Sequence, residues 1–83
     1  MNRRRLLRKL AEGAFQNVPF ADLVHLVEGL GFRRSRTSGS HQIFVHPDFP
    51  ELLNLQDVHG QAKPYQIRQL LRLIERYNIR LEG

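Results

Sequence analysis

Apolar residues recur along this chain with a helical period, then a strand-like one, then a helical period again. Leu6, Leu7, Leu10, Ala11, Ala14 and Phe15 fall on one stripe of a 3.6-residue repeat, which predicts a helix over residues 2–15 with Asn2 as its N-cap. Phe20, Leu23, Val24, Val27 and Leu30 make a second amphipathic stripe, predicting a helix over 19–29, with Pro19 in its first turn and Gly31 as its C-terminal cap. Three short strands follow, over 32–36, 40–46 and 52–57, with Ile43, Phe44 and Val45 as the apolar heart of the middle one. Thr37-Ser38-Gly39 and Pro47-Asp48-Phe49-Pro50 are turn chemistry between them, and links this short permit only an antiparallel meander. Pro64 opens a last helix over 64–77, with Ile67, Leu70, Leu71, Ile74 and Tyr77 as its expected buried face. Ile79 and Leu81 suggest a short further piece in the tail over 78–83.

The fold class expected from this order is α+β. Helices cover one face of a three-stranded sheet and leave the other in water, where a site can lie. A length of 83 residues suits a single domain over 1–83, with 2–16 as an additional basic helix and 19–77 as the core. A chain this short buries roughly 60% of its unfolded surface, which favours a shallow surface site over a walled pocket.

Charge narrows the partners. The formal net charge is +5, from 13 Lys and Arg against 8 Asp and Glu, and Arg supplies eleven of the cations. The planar donor fork of Arg matches phosphate oxygens, so a polyanion such as nucleic acid is the favoured partner. Arg3, Arg4, Arg5 and Arg8 crowd the first turns of a helix, where positive charge opposes the macrodipole. They either meet an anion or are tolerated on a frayed end. The chain has no Cys, which excludes disulfides, thiolate metal sites and a Cys nucleophile. No apolar run has the length of a signal peptide or of a membrane span, so a cytoplasmic location is expected.

Among the histidines, His25 falls on the polar side of a helix and His46 at a strand end before Pro47, both read as structural. His41 and His46, an odd number of residues apart on one strand, point to opposite faces and cannot share a metal. No Walker loop, nucleophile elbow or paired-carboxylate signature is present, and no metal or other cofactor is expected. What remains is Gly39-Ser40-His41 at the opening of a strand, with Arg33, Arg34 and Arg36 on the strand before it. An imidazole among guanidinium groups suits metal-free cleavage of RNA, whose 2′-hydroxyl is its own nucleophile. On periodicity alone the signal is weak, because single histidines near turns are common and most are ordinary turn residues.

The run Gly39-Ser40-His41-Gln42-Ile43-Phe44-Val45-His46-Pro47 resembles the GSHxxF…HP signature of HicA toxins of type II toxin–antitoxin systems. His59-Gly60-Gln61-Ala62-Lys63 is similar to the family's HG-x-x-K/E element, and Gly31-Phe32 to its GF corner after the first family helix. The resemblance spans about residues 20–74. It implies a double-stranded-RNA-binding-domain-like fold, α-β-β-β-α, and endoribonuclease activity on mRNA that stops translation. It further implies His41 as the catalytic residue, Gly39 and Ser40 shaping its turn and donating to phosphate, and a HicB-type antitoxin as partner. The chain departs from the pattern in its added basic helix and in Pro64-Tyr65-Gln66-Ile67, where many members have a Gly-Thr pair, with Lys63 as a substitute cation.

Arg33, Arg34, Arg36, Lys63, Arg68 and Arg72 are the candidate phosphate contacts. Arg68, Arg72 and Arg76 recur every fourth residue on the last helix and repel one another, with Glu75 placed to relieve part of this. The stripe can track a nucleic-acid backbone, dock an acidic antitoxin surface, or simply be solvated. Two rival readings share the fold: an RNA-binding module that cuts nothing, and a basic protein-interaction domain.

Overall fold

In the computed structural model, which describes residues 2–82, α1 spans Arg3–Ala11, α2 Phe20–Gly29, β1 Arg33–Ser38, β2 His41–His46, β3 Phe49–Gln56 and α3 Pro64–Tyr77. The expected order of elements holds, and from α2 onward it is the α-β-β-β-α layout. Asn2 caps α1, its side chain accepting from the Arg5 N–H at 3.1 Å. α1 ends at Ala11 instead of running on to Phe15. Gly13 takes a φ of 93°, its N–H donates to the Leu10 carbonyl at 2.9 Å, and the Ala14 N–H donates to that of Lys9 at 3.0 Å. This is a Schellman closure, available at low cost to a residue without Cβ. Phe15 still packs against the core from the following loop.

The sheet has the order β1-β2-β3, antiparallel throughout. β1 starts after Phe32, which turns into the core, and runs on to Ser38, because the β1–β2 loop is only Gly39 and Ser40. β3 starts at Phe49 instead of Leu52, and Pro50 is tolerated because β3 is an edge strand. Phe44, Leu53 and Leu55 from the sheet meet Leu23, Leu26 and Val27 of α2 and Ile67, Leu70 and Leu73 of α3 in one core. Among the described residues, no helix packs on the opposite face of the sheet. Leu73, not Tyr77, is the buried residue of the last turns of α3; Tyr77 is 37% exposed and stacks on Phe49 with centroids 4.2 Å apart.

α1 is part of this core through Leu6 and Leu10. It is latched to α2 by Arg3, whose Nε donates to the His25 carbonyl at 2.6 Å. The Arg3 side chain lies across Gly29, where a Cβ would stand 2.6 Å from its Cδ. The first arginine of the basic run therefore docks the helix, and α1 is capped at both ends. The tail over 78–82 forms no regular element, but Ile79 and Leu81 pack on the core and the Glu82 N–H donates to the Gly29 carbonyl at 2.8 Å. Residue 83, which the expected tail piece included, lies outside the described residues. No helix among the described residues is long and apolar enough to cross a membrane.

Candidate active site

A two-residue hairpin sets the register of the site. Ser38 pairs with His41, and only the first loop residue, Gly39, has a positive φ, 59°, as a type II′ turn requires. Ser40 is tied to the end of β3: its carbonyl accepts from the Asp57 N–H at 3.1 Å and its hydroxyl from Gln56 Nε2 at 3.3 Å. The hydroxyl keeps its own hydrogen to donate.

Paired residues of a ladder share a face. Phe44 pairs with Leu53 and Gln42 with Leu55, which fixes that side as the core side. His41 pairs with Gln56 and Ile43 with Asn54, so His41, Ile43, Asn54 and Gln56 belong to the open face. His41 is exposed there, its Nδ1 3.1 Å from Oδ1 of Asn54 across the diagonal of the ladder.

A β-bulge decides which arginines join it. Simple alternation would put Arg34 and Arg36 together on one face and Arg33 on the other. The register slips between Arg34 and Arg36, so Arg36 pairs with Ile43 while Arg34 pairs with Phe44. Arg33, opposite Val45, and Arg36 thus stand on the face of His41. Arg34 is left on the other side, where its guanidinium donates to Gln42 Oε1 at 3.2 Å. Re-aiming a side chain is a common consequence of a bulge.

The remaining candidates lie elsewhere. Gly39 is at the exposed tip of the hairpin. Lys63 is exposed at the start of α3, at the end of the sheet where Tyr65 reaches Gln56. Arg68 and Arg72 are exposed on the helical layer, across the sheet from the His41 face, and Arg68 lies over the Phe15 ring at 5.5 Å. Arg76 is paired with Glu51 at 2.7 Å, so Glu51 of β3, not Glu75, relieves that charge. His25 is exposed on α2, its Nδ1 3.3 Å from the Arg3 guanidinium. His46 is packed into the molecule, between Phe32 and Phe49. No group of three or more metal-ligating side chains gathers among the described residues.

Sequence reasoning passed over Asn54, Gln56 and Tyr65. The first two had a signal, since Asn54 and Gln56 alternate with Leu53 and Leu55 and must face water if the leucines face the core. Gln66, fully buried on α3, donates from Nε2 to the Gln56 carbonyl at 3.0 Å and anchors this end of β3 from beneath.

The Glu51 carboxylate, which accepts from both Tyr77 and Arg76, raises the pKa of each.

No curated protein and no solved structure matches the chain. A family model described as the HicA toxin of bacterial toxin–antitoxin matches residues 20–75 of the 83, taking in α2, the whole sheet and nearly all of α3 while leaving α1 outside. With the exposed histidine, the hairpin and the three-stranded sheet all inside that match, the chain belongs to the HicA toxin family, the toxin side of bacterial toxin–antitoxin pairs.

Proposed function

We propose that the chain is a metal-independent endoribonuclease that cleaves mRNA in the cytoplasm and so stops translation. His41 is its general acid or base, and a HicB-type antitoxin neutralises it. The observation that carries this reading is an exposed imidazole on the one sheet face that also holds Arg33 and Arg36. RNA brings its own nucleophile. The 2′-hydroxyl gives up its proton, its oxygen attacks the neighbouring phosphorus, and the bond to the 5′-oxygen breaks. That oxygen leaves with a proton, so the products are a 2′,3′-cyclic phosphate and a 5′-hydroxyl. The protein supplies proton transfer near neutral pH and positive charge for the phosphorane. His41 suits the first task and the guanidinium groups of Arg33 and Arg36 the second. Ser40 and Gly39 shape the turn and offer hydrogen-bond donors, and Lys63 adds a cation at the same end of the sheet.

The test is cleavage of purified RNA in EDTA. The wild-type chain is expected to cut, and His41→Ala to lose about 10²–10⁴ in rate. Because His41 is exposed, the variant should unfold at nearly the wild-type denaturant concentration. Intact RNA after incubation with the wild-type chain points instead to a module that binds without cutting. A His41→Ala protein cleaving at full rate removes the role given to this residue.

A further inference from the structure

We propose that Asn54 is a positioning residue that makes His41 the base of the reaction, by holding Nδ1–H and leaving the Nε2 lone pair free. The inference rests on the ribonuclease reading above and adds to it the direction of the first proton transfer.

An amide oxygen only accepts hydrogen bonds. With Asn54 Oδ1 3.1 Å from His41 Nδ1, the hydrogen of that bond has to sit on Nδ1. A neutral imidazole carrying its hydrogen there has its lone pair on Nε2. Nε2 makes no hydrogen bond to another described residue, and the ring is exposed on the arginine-bearing face. A base oriented by a third group is the usual construction for proton abstraction from a hydroxyl. The two backbones are fixed relative to one another by the β2–β3 ladder, so the orientation is built into the sheet.

Nothing in the packing of β3 calls for Asn at this position. It is exposed between Leu53 and Leu55, which carry the core contacts, and Asn is a poor strand former. Its neutrality also fits the surroundings. A carboxylate at 54 would hold the same tautomer but would favour the imidazolium, which cannot accept a proton, and would compete with phosphate for Arg33 and Arg36. The amide orients the ring without either effect. In the first step, Nε2 takes the proton of the 2′-hydroxyl as the 2′-oxygen bonds to phosphorus. The departing 5′-oxygen recovers a proton from solvent or from the imidazolium so formed.

The experiment combines a spectroscopic readout with kinetics, on the full chain. In ¹⁵N-labelled protein held above the titration of the ring, two-bond correlations should show His41 protonated at Nδ1 and bare at Nε2. Asn54→Leu should return the ring to the Nε2–H form that unrestrained histidine prefers. It should also lower kcat by about 10–100-fold with KM little changed. Asn54→Asp should recover much of that loss, with the acid limb of the pH–rate profile moved to higher pH, which a merely structural role would not produce. An Nε2–H tautomer in the wild-type protein overturns the proposal, as does an Asn54→Leu variant with wild-type kcat and pH profile. These failures are separable from failure of the ribonuclease reading. A fully active His41→Ala sinks that reading whatever the tautomer, whereas an inactive His41→Ala with an Nε2–H ring sinks only the part given to Asn54.

Discussion

His41 and His46 sit on the same strand and differ in what their nitrogens are free to do. His46 Nε2 donates to the Leu30 carbonyl at 3.1 Å, and Nδ1 accepts from the Asp48 N–H at 3.1 Å. The ring stacks on Phe49 at 4.6 Å and meets Phe32 edge-on at 5.1 Å. Both nitrogens are committed, so this imidazole has neither lone pair nor proton to offer a substrate. His46→Ala should therefore cost stability and spare chemistry. It leaves the Leu30 carbonyl and the Asp48 N–H without partners and removes a stacked ring, an expected loss of roughly 2–4 kcal/mol. A urea melt and a rate per folded molecule on the same sample check both halves. An unfolded-resistant but inactive His46→Ala protein would mean that the chemistry has been assigned to the wrong histidine. The sequence spacing already put the two histidines on opposite faces, but not which face was wet. Ile43 and Phe44 are both apolar, and only the helices packed on the Phe44 side decide between them. Arg36 was legible as a candidate and illegible in direction, because a bulge of one residue carries no sequence mark here.

Between elements, the end of α3 is joined to β3 through one carboxylate. Glu51 accepts from Arg76 Nη1 at 2.7 Å and from the Tyr77 hydroxyl, while Tyr77 stacks on Phe49. The hydrogen bond to Glu51 is the main cause of the raised Tyr77 pKa, followed by burial and then by the negative charge of Glu51. A phenol whose folded pKa lies above its ordinary 10.0 stabilises the fold below that pH and loses the contribution as pH rises through the folded value. Alkaline titration followed at the phenolate absorbance, in a Tyr65→Phe background, should show Tyr77 ionising above its ordinary value. Glu51→Gln should bring it back down, and an unmoved titration would mean that the carboxylate does not hold the phenol. The contact is solvent-exposed, so its effect on stability is expected to be small. Other parts of the elements divide between what period can read and what it cannot. α3 was legible to its ends because Pro64 opens it and its stripe is unbroken. The early stop of α1 was readable from Gly13 by the same rule that placed Gly31 after α2, but Ala14 and Phe15 continued the apolar stripe and masked it. The start of β3 was hidden by Pro50, whose turn chemistry is overridden where a strand runs along an open edge.

Across the whole molecule, the fold sorts a charge of +5 into groups with different work to do. Arg3 latches α1 to α2, Arg76 joins α3 to β3, and Arg34 is bonded to Gln42 on the helix side of the sheet. Arg33 and Arg36 stand with His41 on the open face, while Arg68 and Arg72 lie on the helical layer beyond it. On the ribonuclease reading proposed above, this sorting makes the track of the RNA measurable. Each phosphate neutralised on a single strand contributes about 0.7 to the slope of log affinity against log salt. If the strand crosses the open sheet face, Arg33→Ala and Arg36→Ala should each reduce that slope by about 0.7 and weaken binding without regard to sequence. Arg72→Ala should leave it close to the wild-type value. Fluorescence anisotropy with a labelled single strand, in the His41→Ala background expected to leave the strand uncut, measures all three at several salt concentrations. An equal fall for Arg72→Ala would draw the RNA around onto α3 and make the arginine stripe of that helix part of the same footprint. A fall for Arg72→Ala alone would separate the bound strand from His41 and leave the proposed chemistry without a substrate in reach.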